Sequence, residues 1–470
     1  MSSQIKLLII ISGNEYIRNY IQNDSLKSLE EEYDCYYIGS EKITLRDQLI
    51  AKKNFLGFYP ENKEQNQRSF DYFNILMYKY RNKSTSFVFR TFRTFNLPRY
   101  GPFKVILTIL SQAVRLNFDV LKKYLVKLKV MILSTGLFFS YYKRKYENSC
   151  VINQELSDLM DKADPDLVLF PSSAYDPIGV DIVKLSEKRG TPSFFLVDNW
   201  DNLSSKSILF EKPDYLGVWS QQSLEHATDI QDFDKSRIHI IGTPRFNQYF
   251  QTRDSQMDSF FPFPYILFVG TAVAFDEAGI LEKINQVMDE NQDIFKGVKL
   301  IYRPHPWRQG SDTIAGLDLP HIMIDPQLKN SYLKQDTTTA VQPSLDYYPS
   351  LIKNAEFVMG GLTSMLIESL VFRKYYLALA HDDKKNLTSQ HNVLKYYVHF
   401  RGLEYVDAVN IIHNLDNFAD KFKQHWNNRN NVDAQLADKQ REYYLSQDAG
   451  IQYKDKLRSV VEKILAENAN

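Results

Sequence analysis

The stretch Asn354-Ala-Glu-Phe-Val-Met-Gly-Gly-Leu-Thr-Ser364, with the helical run that reaches Phe372 and the segment Tyr375-Tyr-Leu-Ala-Leu-Ala380, decides the fold. Glu356–Met359 and Tyr375–Ala380 are short apolar runs, and the segment between them opens on glycines and hydroxyls and then turns helical. Strand, turn, helix and strand in that order describe a βαβ unit, whose parallel strands are buried on both faces and read as nearly continuous apolar runs. Ligands of such sheets bind beyond the carboxyl ends of the strands, so the residues just after each apolar run are where chemistry is expected.

The same alternation extends upstream. Tyr265–Gly270, Val298–Tyr302 and His321–Ile324 read as strands, with a helix around Glu277–Glu290. Gln327–Ser344 has little periodicity and reads as a long loop. Gln251–Pro264 is polar with two prolines and reads as a linker, before which the pattern is already running. Lys6–Ser12, Tyr33–Gly39, Asp166–Pro171, Ser193–Val197, Tyr215–Ser220 and Ile238–Gly242 are strands, with a helix over Gly179–Arg189. The expected fold class is α/β, with two Rossmann-like domains facing a cleft. The expected boundaries are residues 1–255 and 256–440, with 441–470 a charged C-terminal helix packing back on the first domain.

A chain of 470 residues exceeds what one core usually organises. Two cysteines, Cys35 and Cys150, exclude a disulfide framework and a cysteine-rich metal site. Leu7–Ile11 is too short for a signal segment, and no run approaches the ~18 apolar residues of a membrane span. The expected location is the cytoplasm. The net charge of +0 conceals one strongly basic block. Between Tyr72 and Tyr146 there are fifteen Lys or Arg and one acid, Asp119, interleaved with seventeen aromatic residues. Val105, Ile109, Ala113, Leu116, Val120 and Tyr124 recur there at helical spacing, with Lys122, Lys123, Lys127 and Lys129 nearby. The block is expected to be a helical insertion in the first domain that lies on the anionic inner face of the cell membrane, a peripheral attachment. Its other reading is a cover for the domain core with lysines on the wet face. No nucleic-acid module surrounds it, and no nucleic-acid partner is expected.

Four strand ends carry functional side chains. Arg303-Pro-His305-Pro follows Val298–Tyr302, placing an imidazole and a permanent charge where both can donate to a phosphate. Gly360-Gly361-Leu-Thr363-Ser364 combines close backbone approach, two hydroxyls and a helix N-terminus, the outline of a phosphate cradle. Its plainer reading is a helix cap. Glu368, four residues after Ser364, shares a helical face with it and suits ribose hydroxyls. Asp198-Asn199-Trp200-Asp201-Asn202 crowds two carboxylates, two amides and an indole after Ser193–Val197. Asp198 or Asp201 is the candidate general base, and Asn199, Trp200 and Asn202 are candidate substrate contacts. Thr243 and Arg245 follow Ile238–Gly242 as further substrate contacts. His381-Asp382-Asp383 and His391 lack the spacing of a metal site, and no metal is expected.

Taken in this order, the motifs resemble the GT-B superfamily of glycosyltransferases. Arg303–Pro306 resembles the His-Pro motif of bacterial sialyltransferases and Kdo transferases, and Thr363-Ser364 their paired-hydroxyl motif. The segment 354–380 is similar also to the donor half of CDP-glycerol glycerophosphotransferases. The resemblance covers roughly residues 165–392 and lacks the Asp-Asp-Gly form of the sialyltransferase acidic motif. It implies transfer from a nucleotide-activated donor, a CMP-linked nonulosonic acid or Kdo-like sugar, to a surface-polysaccharide or lipid-linked glycan. His305, Thr363, Ser364, Gly361 and Arg303 would bind donor phosphate, and the nucleotide sugar is a co-substrate with no further cofactor required. The alternatives are a CDP-glycerol-type phosphotransferase, a sugar-nucleotide epimerase and a non-catalytic subunit of glycan assembly.

Overall fold

The computed structural model describes residues 4–94, 101–115, 117–273, 275–306, 314, 316–334, 343–386, 388–447 and 450–469. The chain divides into two compact units, Met1–Asn247 with Tyr444–Asn470, and Gln248–Tyr443.

The first unit is built on seven parallel strands, β1 (Lys6–Ile11), β2 (Asp34–Ser40), β3 (Phe55–Tyr59), β4 (Leu167–Ser172), β5 (Ser193–Val197), β6 (Tyr215–Val218) and β7 (Ile238–Ile240). Their spatial order is β3-β2-β1-β4-β5-β6-β7. Every residue of β4 and β5 is buried, as expected of strands covered on both faces. The second unit has six parallel strands, β8 (Tyr265–Val269), β9 (Lys299–Arg303), β10 (Ile322–Ile324), β11 (Val358–Gly360), β12 (Tyr376–Leu379) and β13 (Val409–Ile412), in the order β10-β9-β8-β11-β12-β13. The α/β class with two parallel sheets is the class read from the alternation of apolar runs.

Two strands have no counterpart in that reading. β3 is only half-buried over its first four residues and β13 is buried only at its two ends, so neither reads as a continuous apolar run. β3 carries Gly57 at φ +149°, and β13 exposes Asn410. The segment 327–344 is not all loop, because Pro326–Leu333 is a helix. Asp325 caps it by accepting from the Gln327 N–H at 3.1 Å, Pro326 pre-sets its first turn, and Leu328 and Tyr332 point inward one turn apart. Residues 335–342 lie outside the described residues. At the linker, the helix Asn247–Asp254 covers the first residues of 251–264.

The basic block belongs to a helical insertion between β3 and β4: Lys63–Lys79, Thr85–Thr94, Pro102–Val114, Phe118–Leu133 and Gly136–Ser149. Its inner side is aromatic, with Tyr72 stacked on Tyr146 at 4.4 Å between ring centroids. Lys127 is not on a wet face. Its side chain is buried, its ammonium sits 3.8 Å from the Phe92 ring centroid, and burial lowers its pKa to about 8. Lys122, Lys123 and Lys129 are exposed.

The C-terminal helix Tyr453–Asn468 places Tyr453, Leu457, Val461 and Ile464 at helical spacing into the core of the first unit, beside Leu7, Ile9 and Ile11 of β1. Since Leu457 is fully buried there, Leu457→Ala should lower unfolding free energy by about 2–5 kcal/mol in urea denaturation. An unchanged midpoint would show that the helix adds nothing to that core.

Candidate functional site

In the second unit the strand ends meet around β8. The register sets Arg303 of β9 and Gly360 of β11 on either side of Val269. Two residues beyond Arg303 is His305, and three beyond Gly360 is Thr363. Both thus flank Gly270 and Thr271, at strand ends about 10 Å apart, two strand spacings. The three ends can close up because they lack side chains. A Cβ on Gly360, whose φ is +148°, would lie 2.1 Å from the Val269 carbonyl oxygen, and one on Gly270 would lie 2.8 Å from the His305 nitrogen. A Cβ on Gly361 would lie 2.7 Å from Cγ2 of Thr271.

Behind these loops runs a buried polar network that the sequence did not single out. Glu277, fully buried at the start of the helix Glu277–Glu290, accepts from the Thr271 N–H at 3.1 Å and the Tyr302 hydroxyl at 2.6 Å. Gln390 donates to Oγ1 of Thr271 at 3.0 Å and accepts from the Leu362 N–H at 2.8 Å, tying the glycine loop to the end of β8. The Tyr376 hydroxyl donates to the Gly361 carbonyl at 2.6 Å. Only the capping position of Asp276 before Glu277 offered a signal; Gln390 offered none.

His305, Thr363 and Ser364 are half-buried. Ser364 precedes the helix Met365–Val371 in αR conformation, and its hydroxyl makes no capping bond to that helix. Arg303 is buried, with its guanidinium over the Tyr348 ring at 4.3 Å and its Nε without a hydrogen-bond partner among the described residues. Glu368 is buried, and its carboxylate accepts from the Tyr249 hydroxyl at 2.7 Å.

In the first unit, Asp198 follows β5 and is buried. Burial, helped by the charge of Glu15 and opposed by Arg245 and Lys206, pushes its carboxyl up to about 7. Asn199 donates to Asp198 at 2.6 Å and accepts from Arg245 at 3.3 Å. Asp201 is placed differently, with Oδ2 accepting from the Ser205 hydroxyl at 3.0 Å and 3.4 Å from the Lys206 ammonium. The other members of the turn are packed inside the unit. Trp200 donates to Gln222, the Asn202 amide donates to the Ser172 carbonyl, and Thr243 caps a short 3₁₀ turn by accepting from the Arg245 N–H.

Within the first unit is a cavity of about 860 Å³. Glu15, Lys42 and Asp176 line it from the strand ends, and Phe70, Tyr146 and Cys150 from the insertion. Asp176 accepts from Ser12 at 2.9 Å and Ser172 at 3.2 Å, joining the ends of β1 and β4. Glu15 and Tyr16, two of the lining residues, interact electrostatically with Asp198. Among the described residues no three His, Cys, Asp or Glu side chains are grouped to hold a metal ion.

No protein-family model and no curated protein matches the chain. Solved structures do. A putative UDP-N-acetylglucosamine 2-epimerase from Listeria monocytogenes is similar at 10% identity over 99% of this chain and 98% of that one, with a TM-score of 0.52. A UDP-GlcNAc 2-epimerase from Neisseria meningitidis bound to UDP-GlcNAc gives 10%, 98%, 100% and 0.47. MurG from Acinetobacter baumannii gives 10%, 98%, 99% and 0.42. At 10% identity the likeness to the Listeria structure speaks for the fold alone, the GT-B fold, with one parallel sheet in each unit. Of the resemblance read from the short motifs, the likeness bears on the fold alone.

Two measurements address the geometry. Gly360→Ala should destabilise the chain by about 1–3 kcal/mol, because the added Cβ meets backbone that cannot rotate away; a melting temperature equal to that of the parent would contradict the close approach. Because the folded pKa of Asp198 lies above the usual carboxylate value of 3.8, its contribution to stability is complete below that value and is lost as pH rises through about 7. Asp198→Asn should therefore flatten the fall in stability between about pH 4 and 7, and an unaltered profile would locate that titration elsewhere.

Proposed function

We propose that this chain is a nucleotide-sugar enzyme, and that it transfers the sugar to a hydroxyl-bearing acceptor. The observation that carries the proposal is Asp198: a buried carboxyl at a strand's C-terminal end, raised to about 7, and coupled electrostatically to Glu15 and Tyr16, which line a cavity of about 860 Å³. A base that titrates near the working pH is half ionised there and still strong enough to accept a hydroxyl proton. The cavity joins carboxylates with the rings of Tyr16, Phe70 and Tyr146, the pairing that suits sugar hydroxyls and the apolar faces of sugar rings.

In this reading Asp198 accepts the acceptor's proton as its oxygen bonds to the anomeric carbon. The bond from that carbon to the donor's phosphate oxygen breaks, and the electron pair leaves with the phosphate. His305, the hydroxyls of Thr363 and Ser364 and the Gly361 backbone answer the charge that appears on that oxygen. The unpartnered Nε of buried Arg303 is consistent with an anion at this end of the second unit. Asp198 is the stronger candidate for the base because Asp201 is engaged by Ser205 and Lys206.

Sugar-nucleotide epimerisation is the second reading. It is favoured by the nearness of Glu15 and Asp176 to Asp198 around Tyr16, since moving a proton on and off a ring carbon employs more than one acid–base group. The names of the epimerase neighbours agree with it. The nucleotide is left to experiment, as those names mention UDP and none mentions CMP.

Incubation with UDP-, GDP-, CDP- and CMP-sugars, followed by chromatography of the nucleotide released, tests the proposal. Release that depends on an added glycan or lipid-linked acceptor supports transfer, and a new epimer without any acceptor supports the second reading. His305→Ala and Asp198→Asn should each lower kcat/KM by about 10²–10⁴-fold with the fold intact. For the parent, kcat/KM should rise with pH to a plateau above about 7 as Asp198 ionises. Full activity in both variants would remove the assigned roles.

A further inference from the structure

The insertion of the first unit has an outer surface that its inner packing does not explain. Between residues 103 and 141 eleven large hydrophobic side chains are exposed, half of all those exposed among the described residues, so the patch is a concentration and not a sampling of ordinary surface. They fall on stripes. In the helix Pro102–Val114, Phe103, Leu107, Leu110 and Val114 stand one turn apart and face out, with Phe103 75% and Val114 85% exposed, while Val105 and Ile109 pack inward against Tyr124 and Val120. In Phe118–Leu133 the outward stripe alternates apolar and cationic residues: Phe118, Lys122, Leu125, Lys129, Ile132. In Gly136–Ser149 Leu137, Phe138 and Tyr141 are exposed, followed by Arg144 and Lys145.

This is the pattern of a helix lying in an interface, with apolar side chains inserted and cations at headgroup depth. Over 101–149 the chain has nine Lys or Arg and two acids, Asp119 and Glu147. A second copy of the same face would bring like charges together as it covered the leucines, and a nucleic acid would leave the leucines wet. No single helix among the described residues is long and apolar enough to cross a bilayer. The helix Pro102–Val114 has 13 residues, about 20 Å against a hydrocarbon core of ~30 Å. Phe118–Leu133 and Gly136–Ser149 are long and apolar enough only as a pair, and that pair is bent by 98°.

We infer that the outer faces of the helices Pro102–Val114, Phe118–Leu133 and Gly136–Ser149 form a docking surface for an anionic lipid bilayer, into which Phe103, Leu107, Leu110, Leu137 and Phe138 insert while Lys122, Lys129, Arg144 and Lys145 meet lipid phosphates. The surface stands on the geometry of the insertion alone and is independent of any activity. The same insertion lines the 860 Å³ cavity through Phe70, Tyr146 and Cys150, so a bilayer-held molecule would be presented close to that cavity.

Co-sedimentation of the full chain with vesicles tests it. The parent should bind vesicles of phosphatidylcholine with phosphatidylglycerol, should bind phosphatidylcholine alone far more weakly, and should be released by salt. Leu110→Glu with Leu137→Glu should lower partitioning by about tenfold or more with an unchanged melting temperature, since both side chains are exposed. Lys122→Glu with Lys129→Glu should abolish the preference for the anionic lipid. Failure of the parent to bind, equal binding to neutral vesicles, or full binding by the leucine variant would each overturn the inference. So would a parent dimer that the leucine variant disperses without any effect of lipid, because the face would then be a contact between copies.

Discussion

Every strand that pairs in this chain pairs in parallel, and that constraint places its chemistry. Parallel strands buried on both faces have no room for charge along their length, so polar side chains are forced to the ends, and all the carboxyl ends of a sheet lie on one edge. Asp198 after β5, Asp176 after β4 and Ser12 after β1 share that edge in the first unit, and His305, Gly361 and Thr271 share it in the second. Each unit gathers its reactive groups by topology, from segments far apart in sequence.

The two edges are made differently. In the second unit the edge is mostly backbone: glycines at 270, 360 and 361 bring three strand ends within contact, and Glu277 and Gln390 hold the loops from behind. This is a preorganised set of N–H groups and hydroxyls, suited to an anion. In the first unit the edge is made of side chains, where burial, helped by the charge of Glu15, raises Asp198 against the opposing charges of Arg245 and Lys206. The function proposed above assigns the donor's negative charge to the second unit's edge and proton transfer to the first unit's.

The insertion adds a third element with an energetic logic of its own. Its inner side is closed by aromatic stacking and by Lys127 over Phe92, a cation kept at the cost of a lowered pKa. Its outer side leaves leucine and phenylalanine in water, which burial in the same chain could have avoided. The bilayer docking inferred above would remove that surface from water.

The sequence by itself determined the α/β class, the order of eleven strands and the strand ends worth attention, because burial on both faces leaves an apolar run that can be read locally. It could not show β3 and β13, half-buried strands interrupted by Gly57 and Asn410, or the helix Pro326–Leu333, where a capping aspartate and a proline were hidden in a polar stretch. Among the site residues, position after a strand was legible for His305, Thr363, Ser364 and Asp198. Tertiary structure alone decided what each does there. That Asp198 is raised, why Trp200, Asn202 and Thr243 turn inward, and that Glu277 and Gln390 support the glycine loop all depend on burial and on partners distant in the chain. Desolvation and hydrogen bonding are properties of a neighbourhood, and the neighbourhood exists only after folding.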